Sequence, residues 1–247
     1  MLQNLKNWLP SQRRTRRGAV SHTSTLEQRA LLAATFSVVG GTTLEVNGTA
    51  LDDNIAVGIN PAGNFEIVEA GVATDTGVAN DGSITLVELR GLVGADVLTL
   101  NASLGTVPGE VSGDVGEDIV RAHNAPVSPA QNILRGGPDN DKILGSNSAD
   151  KILGDGGNDQ LNGRGGDDSI FGGTENDAIN GGTGNDKLFG GLGADVLRGD
   201  SGDDKLYANN AANDDDFERD RLFGGGDAGD QFFSHPGVLA TEDQFFA

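Results

Sequence analysis

Eight consecutive nonads between Gly136 and Tyr207 decide the fold: GGPDNDKIL, GSNSADKIL, GDGGNDQLN, GRGGDDSIF, GGTENDAIN, GGTGNDKLF, GGLGADVLR and GDSGDDKLY. Each nonad begins with Gly, carries Asp at its sixth position and has Ile or Leu at its eighth. A short fixed period of this kind is typical of solenoids, in which every repeat contributes one structural unit. The six Gly, Asp and Asn-rich positions predict a turn that needs positive φ, and the last three predict a short strand with one inward apolar side chain.

The ninth position of the nonads alternates between two kinds of side chain. Even copies place apolar or aromatic residues there, whereas odd copies are mostly polar. The even series is Leu153, Phe171, Phe189 and Tyr207, and the odd series is Leu144, Asn162, Asn180 and Arg198. An alternation every 18 residues is what two distinct faces produce. We therefore expect two nonads to form one coil, giving about four coils and two small parallel sheets.

These columns resemble the RTX, or hemolysin-type, calcium-binding repeat GGxGxDxUx. The resemblance implies an all-β fold, a right-handed parallel β-roll (a β-solenoid of nonapeptide repeats). It also implies that Ca²⁺ lies between turns stacked on the same edge, bound by the sixth-position Asp and by turn carbonyls. Carried onto this sequence, the implied metal ligands are Asp141, Asp150, Asp159, Asp168, Asp177, Asp186, Asp195 and Asp204. Pairing Asp residues 18 positions apart allows about six calcium ions.

Several turns depart from the family pattern. At the second position, Gly is replaced by Ser146, Asp155, Arg164 and Asp200. At the fourth position it is replaced by Asp139, Ser148 and Glu175. We expect calcium to bind less readily at these turns, above all at the SNSAD turn of residues 146–150.

The chemistry of the nonads favours a hard divalent cation. Residues 136–207 hold 14 acidic and six basic side chains, a net charge of −8 that opposes compaction. Oxygen ligands in large number suit Ca²⁺ better than Mg²⁺, which prefers a smaller octahedral site. Zinc would require His or Cys, and the nonads contain neither. We therefore predict a roll that is disordered or molten without calcium and folds as calcium rises.

The composition of the whole chain excludes several classes of protein. Its 247 residues include 39 Gly, 27 Asp and 10 Glu, which predicts tight turns rather than helices. A formal charge of −20 argues against nucleic acid as a partner. The sequence has no apolar stretch of about 18 residues, so it predicts no transmembrane helix. The absence of Cys excludes disulfides and Cys-ligated zinc.

Residues 42–135 predict an irregular β-rich region, either a solenoid or a sandwich, stacked ahead of the roll. The repeat recurs there in degenerate form as GTALDDNIA (48–56), GLVGADVLT (91–99) and GDVGEDIVR (113–121). Whether Asp53, Asp96 and Asp118 bind metal or are solvated turn residues is open at this point. Residues 77–88 imitate the second half of an EF-hand loop but lack its first carboxylates, so we expect a hairpin turn.

Both ends of the chain differ from the repeats. Residues 1–41 form a basic tail in which residues 26–34 are similar to the LEPR-XLL motif of large exported bacterial surface proteins, with Gln28 in place of Pro. Residues 208–247 contain an acidic insertion, degenerate repeats and a Phe-rich end. That end is predicted to cap the roll, and the alternative is an ending of the type I secretion kind.

Two functions of different class are compatible with these features. The first is a structural or adhesive calcium-binding protein, extracellular or on the bacterial cell surface, with a cell-surface or polysaccharide partner and an open oligomeric state. The alternative is a small secreted hydrolase or carbohydrate-acting protein that uses residues 42–135. HExxH and GxSxG motifs are absent, and the GDSG at 199–202 is in register as a repeat turn, so an enzyme is not favoured. The aromatic stripe of the even copies is either a docking surface or a face covered by other parts of the chain.

Overall fold

The strands of this protein alternate along the chain between two sheets. The computed structural model describes residues 34–122, 131–208, 220–226, 229–233 and 244–246. The chain divides into two units, Met1–Leu31 and Leu32–Ala247, and the described residues all belong to the second. Most of the basic tail with its export-like motif and the acidic insertion at 214–218 therefore lie outside the described residues.

Within the described residues, ten strands form the first sheet, called sheet A. In spatial order they are β1 (Thr35–Val39), β2 (Thr43–Asn47), β6 (Leu86–Val93), β8 (Gly109–Val115), β10 (Ile133–Gly137), β12 (Lys151–Gly156), β14 (Ser169–Thr174), β16 (Lys187–Gly191), β18 (Lys205–Tyr207) and β20 (Gln231–Phe233). Every second strand of the repeats belongs to this sheet, as the 18-residue alternation predicts.

The second sheet, called sheet B, has eleven strands in the same part of the chain. In spatial order they are β5 (Val72–Ala79), β4 (Asn64–Glu69), β3 (Asn54–Ile59), β7 (Val97–Leu100), β9 (Ile119–Ala122), β11 (Lys142–Leu144), β13 (Gln160–Gly165), β15 (Ala178–Thr183), β17 (Val196–Ser201), β19 (Arg221–Gly225) and β21 (Gln244–Phe246). A short 3-10 helix, Ala102–Leu104, follows β7. Across the described residues, no helix has the length and apolar character needed to cross a membrane.

The strands of the nonads pair in parallel with a register of one coil. Ile152 of β12 lies beside Ile170 of β14, and Ile143 of β11 lies beside Leu161 of β13. Each strand is three to six residues long, because the Gly-rich half of each nonad turns the chain into the opposite sheet. These pairings confirm the predicted parallel β-solenoid.

A single file of aliphatic side chains runs between the two sheets of the nonads. The eighth-position residues are all at most 2% exposed, and they are Ile143, Ile152, Leu161, Ile170, Ile179, Leu188, Leu197 and Leu206. Neighbouring positions on each strand point outward, as the alternation of a β-strand requires. The interior of the roll is therefore narrow, one aliphatic residue deep at each strand.

The described part of residues 42–135 continues the same two sheets. Strands β3, β7 and β9, which end the three degenerate repeats, join sheet B in parallel, and β2, β6 and β8 join sheet A in parallel. The region is an irregular solenoid, and the sandwich alternative is wrong. Antiparallel strands complete its first coil, because β1 pairs with β2 and the β4–β5 hairpin extends sheet B from β3.

The hairpin turn expected within residues 77–88 is wrong. Strand β5 pairs with β4 in sheet B, whereas the following β6 lies between β2 and β8 in sheet A. The intervening residues, including the Asn80–Asp81–Gly82 bend, therefore cross from one sheet to the other. The sequence predicted a turn, but a turn alone does not determine which strands pair.

The repeat resumes beyond Tyr207, as its sequence indicates. Strand β19 pairs with β17, and β20 pairs with β18, both in parallel. Strand β21 then adds to β19 and is the last strand at that end of sheet B. This is where a capping strand would lie, since the end of a solenoid must be covered.

Candidate metal centres

The sixth-position Asp residues lie along two edges of the solenoid. On the first edge the chain passes from sheet A to sheet B, and on the second edge it returns from sheet B to sheet A. The first edge carries Asp53, Asp96, Asp118, Asp141, Asp159, Asp177, Asp195 and Asp220. The second edge carries Asp150, Asp168, Asp186, Asp204 and Asp230. Each of these residues immediately precedes a strand, which fixes its position in the turn.

Hydrogen bonds join each Asp to the Asp one coil later, forming what we call the Asp ladder. On the first edge the backbone N–H of Asp141 donates to Oδ1 of Asp159 (2.7 Å), and the series continues through Asp177 (2.9 Å) and Asp195 (2.8 Å). On the second edge, Asp150, Asp168, Asp186 and Asp204 are joined in the same way at 2.7 to 2.8 Å. The structure thus brings together all six predicted Asp pairs.

In five of these residues the second carboxylate oxygen is buried and lacks a hydrogen bond from the described residues. No described residue donates to Oδ2 of Asp141, Asp159, Asp168, Asp177 or Asp186. Each of these side chains is at most 3% exposed. Asp195 and Asp204 occupy equivalent positions in the two ladders. An anionic oxygen that is removed from water and receives no donor is costly, so it requires a proton or a cation.

The first-position glycine makes room for this oxygen. A Cβ atom placed on Gly172 would collide with Asp177 Oδ2 and with the carbonyl oxygen of Gly190, one coil later. The same overlap occurs at Gly154 and Gly163 with their own sixth-position Asp. The invariant Gly and the invariant Asp of the repeat therefore depend on each other. Because the Gly has no side chain, the Asp carboxylate and the carbonyl oxygen of the next coil can both lie close to its Cα atom.

Burial changes the protonation of the ladder. Desolvation raises the pKa of Asp168 from its usual 3.8 to about 8, and the charges of Asp186 and Asp150 add to the rise. It raises the pKa of Asp141 and Asp159 to about 7, although a backbone N–H donor to each carboxylate opposes the change. Asp177 and Asp186 behave in the same way. Near neutral pH each of these carboxylates can therefore bind either a proton or a cation.

The oxygen donors present fit a hard divalent cation such as Ca²⁺. Within the described ranges, three or more His, Cys, Asp or Glu side chains do not gather in one cluster. Any ion between turns would therefore be held by one or two Asp together with backbone carbonyl oxygens. This is the type of donor set that the sequence resemblance implies.

Asp150 differs from the other ladder residues. Its Oδ2 accepts hydrogen bonds from the backbone N–H (2.6 Å) and the hydroxyl (2.9 Å) of Ser146. Its Oδ1 accepts from the side-chain amide of Asn132 at 2.8 Å. Protein donors thus already serve both oxygens at the SNSAD turn, where the sequence predicts the least favourable metal site.

Sequence reasoning missed a second set of contacts between turns at the fifth position. On the first edge, Asn140 Oδ1 accepts the backbone N–H of Asn158 (2.7 Å), and Asn158 Oδ1 accepts that of Asn176 (3.2 Å). On the second edge, Asp167 and Asn185 act in the same way, each accepting an N–H at 2.8 Å. The signal was the recurrence of Asn and Asp immediately before the ladder Asp. These contacts tie the outer parts of the turns together without a metal.

The three aromatic residues of the even-copy stripe and Phe233 form a ladder of stacked rings on sheet A. Ring centroids are 4.6 Å apart for Phe171 and Phe189, 4.5 Å for Phe189 and Tyr207, and 4.4 Å for Tyr207 and Phe233. The rings are nearly parallel, so each covers the face of the next. Whether the stripe docks a partner stays a prediction.

The serine of the GDSG sequence lies within the repeat architecture. Ser201 ends strand β17 and is in register with Thr183 of β15. This is the position expected for a repeat turn and the residues around it. The alternative hydrolase function stays a prediction without a supporting contact from this serine.

Comparison with known proteins gives one match. The family model for the RTX calcium-binding nonapeptide repeat (4 copies) matches residues 130–161, 153–188, 162–197, 171–206 and 189–214. A search of curated proteins and of solved structures found no match to the chain. The matched segment coincides with the coils in which the Asp ladder and the single aliphatic file are most regular. Residues 130–214 therefore consist of repeats of the RTX type.

Proposed function

We propose that this is a secreted or cell-surface protein whose roll folds on binding calcium between stacked turns and then serves a structural or adhesive role. The observation that carries the proposal is the row of buried Oδ2 atoms at Asp141, Asp159, Asp168, Asp177 and Asp186, which receive no hydrogen bond from the described residues. Without a cation, folding must either protonate these carboxylates or bury their charge unpaired.

The eight sixth-position Asp of the nonads would supply the side-chain ligands, and backbone carbonyls of adjacent turns would complete each site. Six pairs of neighbouring turns give about six ions, with the Asp150 turn the weakest because Ser146 already donates to its carboxylate. Bound calcium would supply the positive charge that the roll lacks. The Asp residues would hold it, and the first-position glycines would keep the space open.

Folding that depends on calcium is also compatible with export of the protein. Affinities of extracellular calcium modules are typically about 10⁻⁴ to 10⁻³ M, far weaker than needed to bind calcium in the cytosol. A roll with such affinities would stay unfolded during translocation and fold outside, since binding free energy becomes folding free energy. Release into calcium-rich surroundings would therefore be the step that produces the rigid form.

Far-UV circular dichroism of the full chain in EDTA and in millimolar calcium tests this function. We expect β-structure to appear with calcium, together with several bound ions by equilibrium dialysis. Asp177→Asn, which removes one ladder charge and keeps the Oδ1 acceptor, should lower the calcium count. The exposed Asp81→Asn serves as control and should leave it unchanged. Identical spectra in the two conditions, with no bound calcium, would contradict the proposal.

A further inference from the structure

The turns of the two edges fall into two classes according to φ at their second position. In most turns this residue has positive φ, as at Gly173 (126°) and Asp200 (70°). In the turns at residues 48–53 and 145–150 it does not, and the second residue is Thr49 or Ser146. We call the first class left-handed turns and the second class capped turns.

In the capped turns the second residue serves the ladder carboxylate. Thr49 donates its backbone N–H to Asp53 Oδ2 at 2.5 Å and its hydroxyl to the same oxygen at 3.1 Å. Ser146 does the same to Asp150 Oδ2 at 2.6 and 2.9 Å. Two donors from the chain therefore occupy the oxygen that, in Asp141, Asp159, Asp168, Asp177 and Asp186, receives no hydrogen bond from the described residues. A capped turn has no need of a cation.

Two left-handed turns lie upstream of the matched repeats, at residues 91–96 and 113–118. Asp96 and Asp118 are 0% and 1% exposed, and they continue the ladder, since Asp96 N–H donates to Asp118 Oδ1 at 2.7 Å. Their Oδ2 atoms receive no hydrogen bond from the part of the chain that the structure describes. A Cβ on Gly91 would overlap both Asp96 Oδ2 and the carbonyl oxygen of Gly113. The arrangement found at Gly172 in the matched repeats is thus reproduced upstream.

The backbone of these two turns is held in a costly conformation. The second residues are Leu92, with φ of 85°, and Asp114, with φ of 73°, and side chains rarely adopt this region. The connection between the two sheets does not require positive φ, because the capped turns connect the same sheets without positive φ at their second residue. Strain kept at a non-glycine residue points to a local function. Here its effect is to leave a buried carboxylate oxygen beside a carbonyl oxygen, with no protein donor.

We infer that calcium also binds at the turns 91–96 and 113–118, through Asp96 and Asp118, and that the second-position residue decides which turns take an ion. The same rule leaves the turns at 48–53 and 145–150 without calcium, so that Asp150 becomes the one sixth-position Asp of the nonads whose own turn takes no ion. Arg164 supports this at the latter turn, since its guanidinium donates to the carbonyl oxygen of Gly145 at 3.2 Å and places a positive charge there. The inference rests on the proposed function and extends it beyond residues 130–214.

Calcium counting on single-site variants of the full chain tests the inference. Asp96→Asn and Asp118→Asn should each lose about one ion relative to the unaltered chain by equilibrium dialysis at saturating calcium. Asp53→Asn is the matched control, because it changes the same column of a degenerate repeat in a capped turn, and its count should not change. Circular dichroism in calcium reports whether each variant folds.

Two outcomes would overturn the inference. One is an unchanged count in both Asp96→Asn and Asp118→Asn while Asp177→Asn loses an ion, which would leave the proposed function intact. The other is an equal loss in Asp53→Asn. If a variant does not fold, X-ray diffraction from crystals of the unaltered chain grown with calcium shows which turns bind the ion. Anomalous density from calcium beside Asp96 and Asp118 supports the inference, whereas density at the matched repeats alone contradicts it.

Discussion

The first coils of the solenoid and the nonad roll share two sheets but differ in what stabilises them. In the first coils, β3 buries both Ile55 and Val57, and the β4 hairpin strand adds Phe65 and Ile67 to the same core. Each strand of the nonads buries one aliphatic residue, accompanied by glycine and a ladder Asp. The same backbone path therefore accommodates two kinds of interior, a broad apolar core in the first coils and a narrow one in the roll. If the proposed function is right, calcium at the turns supplies the stability that the narrow core lacks.

Removal of calcium should separate the two regions most strongly. In EDTA we expect amides of residues 136–207 to exchange with solvent rapidly, because the buried carboxylates lose their counter-charge. Amides of β2 to β4 should stay protected, since their core does not depend on metal. Hydrogen–deuterium exchange read by mass spectrometry distinguishes the regions. Equal loss of protection in both would show that the comparison is wrong.

The pH dependence of the calcium-free chain should differ between the regions as well. The folded pKa of Asp159 is about 7 and that of Asp168 about 8, both above the usual 3.8. Between about pH 4 and pH 8 the folded roll therefore binds more protons than the unfolded chain. Its stability should therefore be greatest near pH 4 and fall as the pH rises to about 8.

Thermal unfolding in EDTA across this pH range gives the measurement. With calcium present the trend should reverse, because protons compete with the ion for the same carboxylates. A calcium-free roll that became more stable between pH 4 and 8 would refute the explanation by burial.

A first-position glycine should be indispensable in the roll. Gly172→Ala would force a Cβ against Asp177 Oδ2 and the Gly190 carbonyl, and overpacking of this kind typically costs about 1 to 3 kcal/mol. Loss of the ion at that turn should accompany it. Gly226→Ala is the matched control, because none of the described residues lies within 4 Å of its Cβ position. Urea unfolding in calcium measures both variants, and equal stabilities would contradict the steric explanation.

The aromatic ladder should make the smallest contribution. Phe189 stacks on both Phe171 and Tyr207, and each such pair is worth about 0.5 to 1.5 kcal/mol beyond its burial. Phe189→Ser should therefore lower the free energy of unfolding by at least about 1 kcal/mol in calcium. Asn180→Ser, at the equivalent position in sheet B, should change it by less than about 0.5 kcal/mol.

A double variant in the same ladder tests docking through the stripe. Sedimentation velocity of Phe171→Ser with Phe189→Ser should show weaker self-association if two copies meet through these rings. A sedimentation profile that matches the unaltered chain would remove that function for the stripe and leave its role in stability.

Much of the fold could be predicted because the nonads repeat without a gap. A fixed period means that one coil decides the register of the next, so pairs such as Asp159 with Asp177 follow from counting alone. Upstream the spacing changes. Asp53 and Asp96 are ladder neighbours although 43 residues separate them, and the β4–β5 hairpin occupies the interval. No local pattern specifies such a long excursion, since packing of Phe65 and Ile67 against the first coil determines where it ends.

The sequence pattern also could not predict which of the buried carboxylates receive hydrogen bonds from the protein. Asp150 and Asp168 occupy the same column, but Ser146 donates to Asp150 Oδ2, whereas in the turn of Asp168 the second residue, Arg164, has φ of 74° and Asp168 Oδ2 receives no hydrogen bond from the described residues. The replacement of Gly by Ser at this position predicted a weaker site but not its cause. Leu92 shows the converse, because its side chain predicts ordinary φ whereas the turn holds it at 85°.

The Asp ladder has a mechanical consequence. Its bonds run from coil to coil along the solenoid axis, so a pull on the two ends would load the rungs in series. Rupture would then proceed one coil at a time from an end, and each coil spans 18 residues in register. An extended chain covers about 3.3 to 3.6 Å per residue, so each step would release about 60 Å of length. A roll of this design would act as an extensible tether that yields in equal increments.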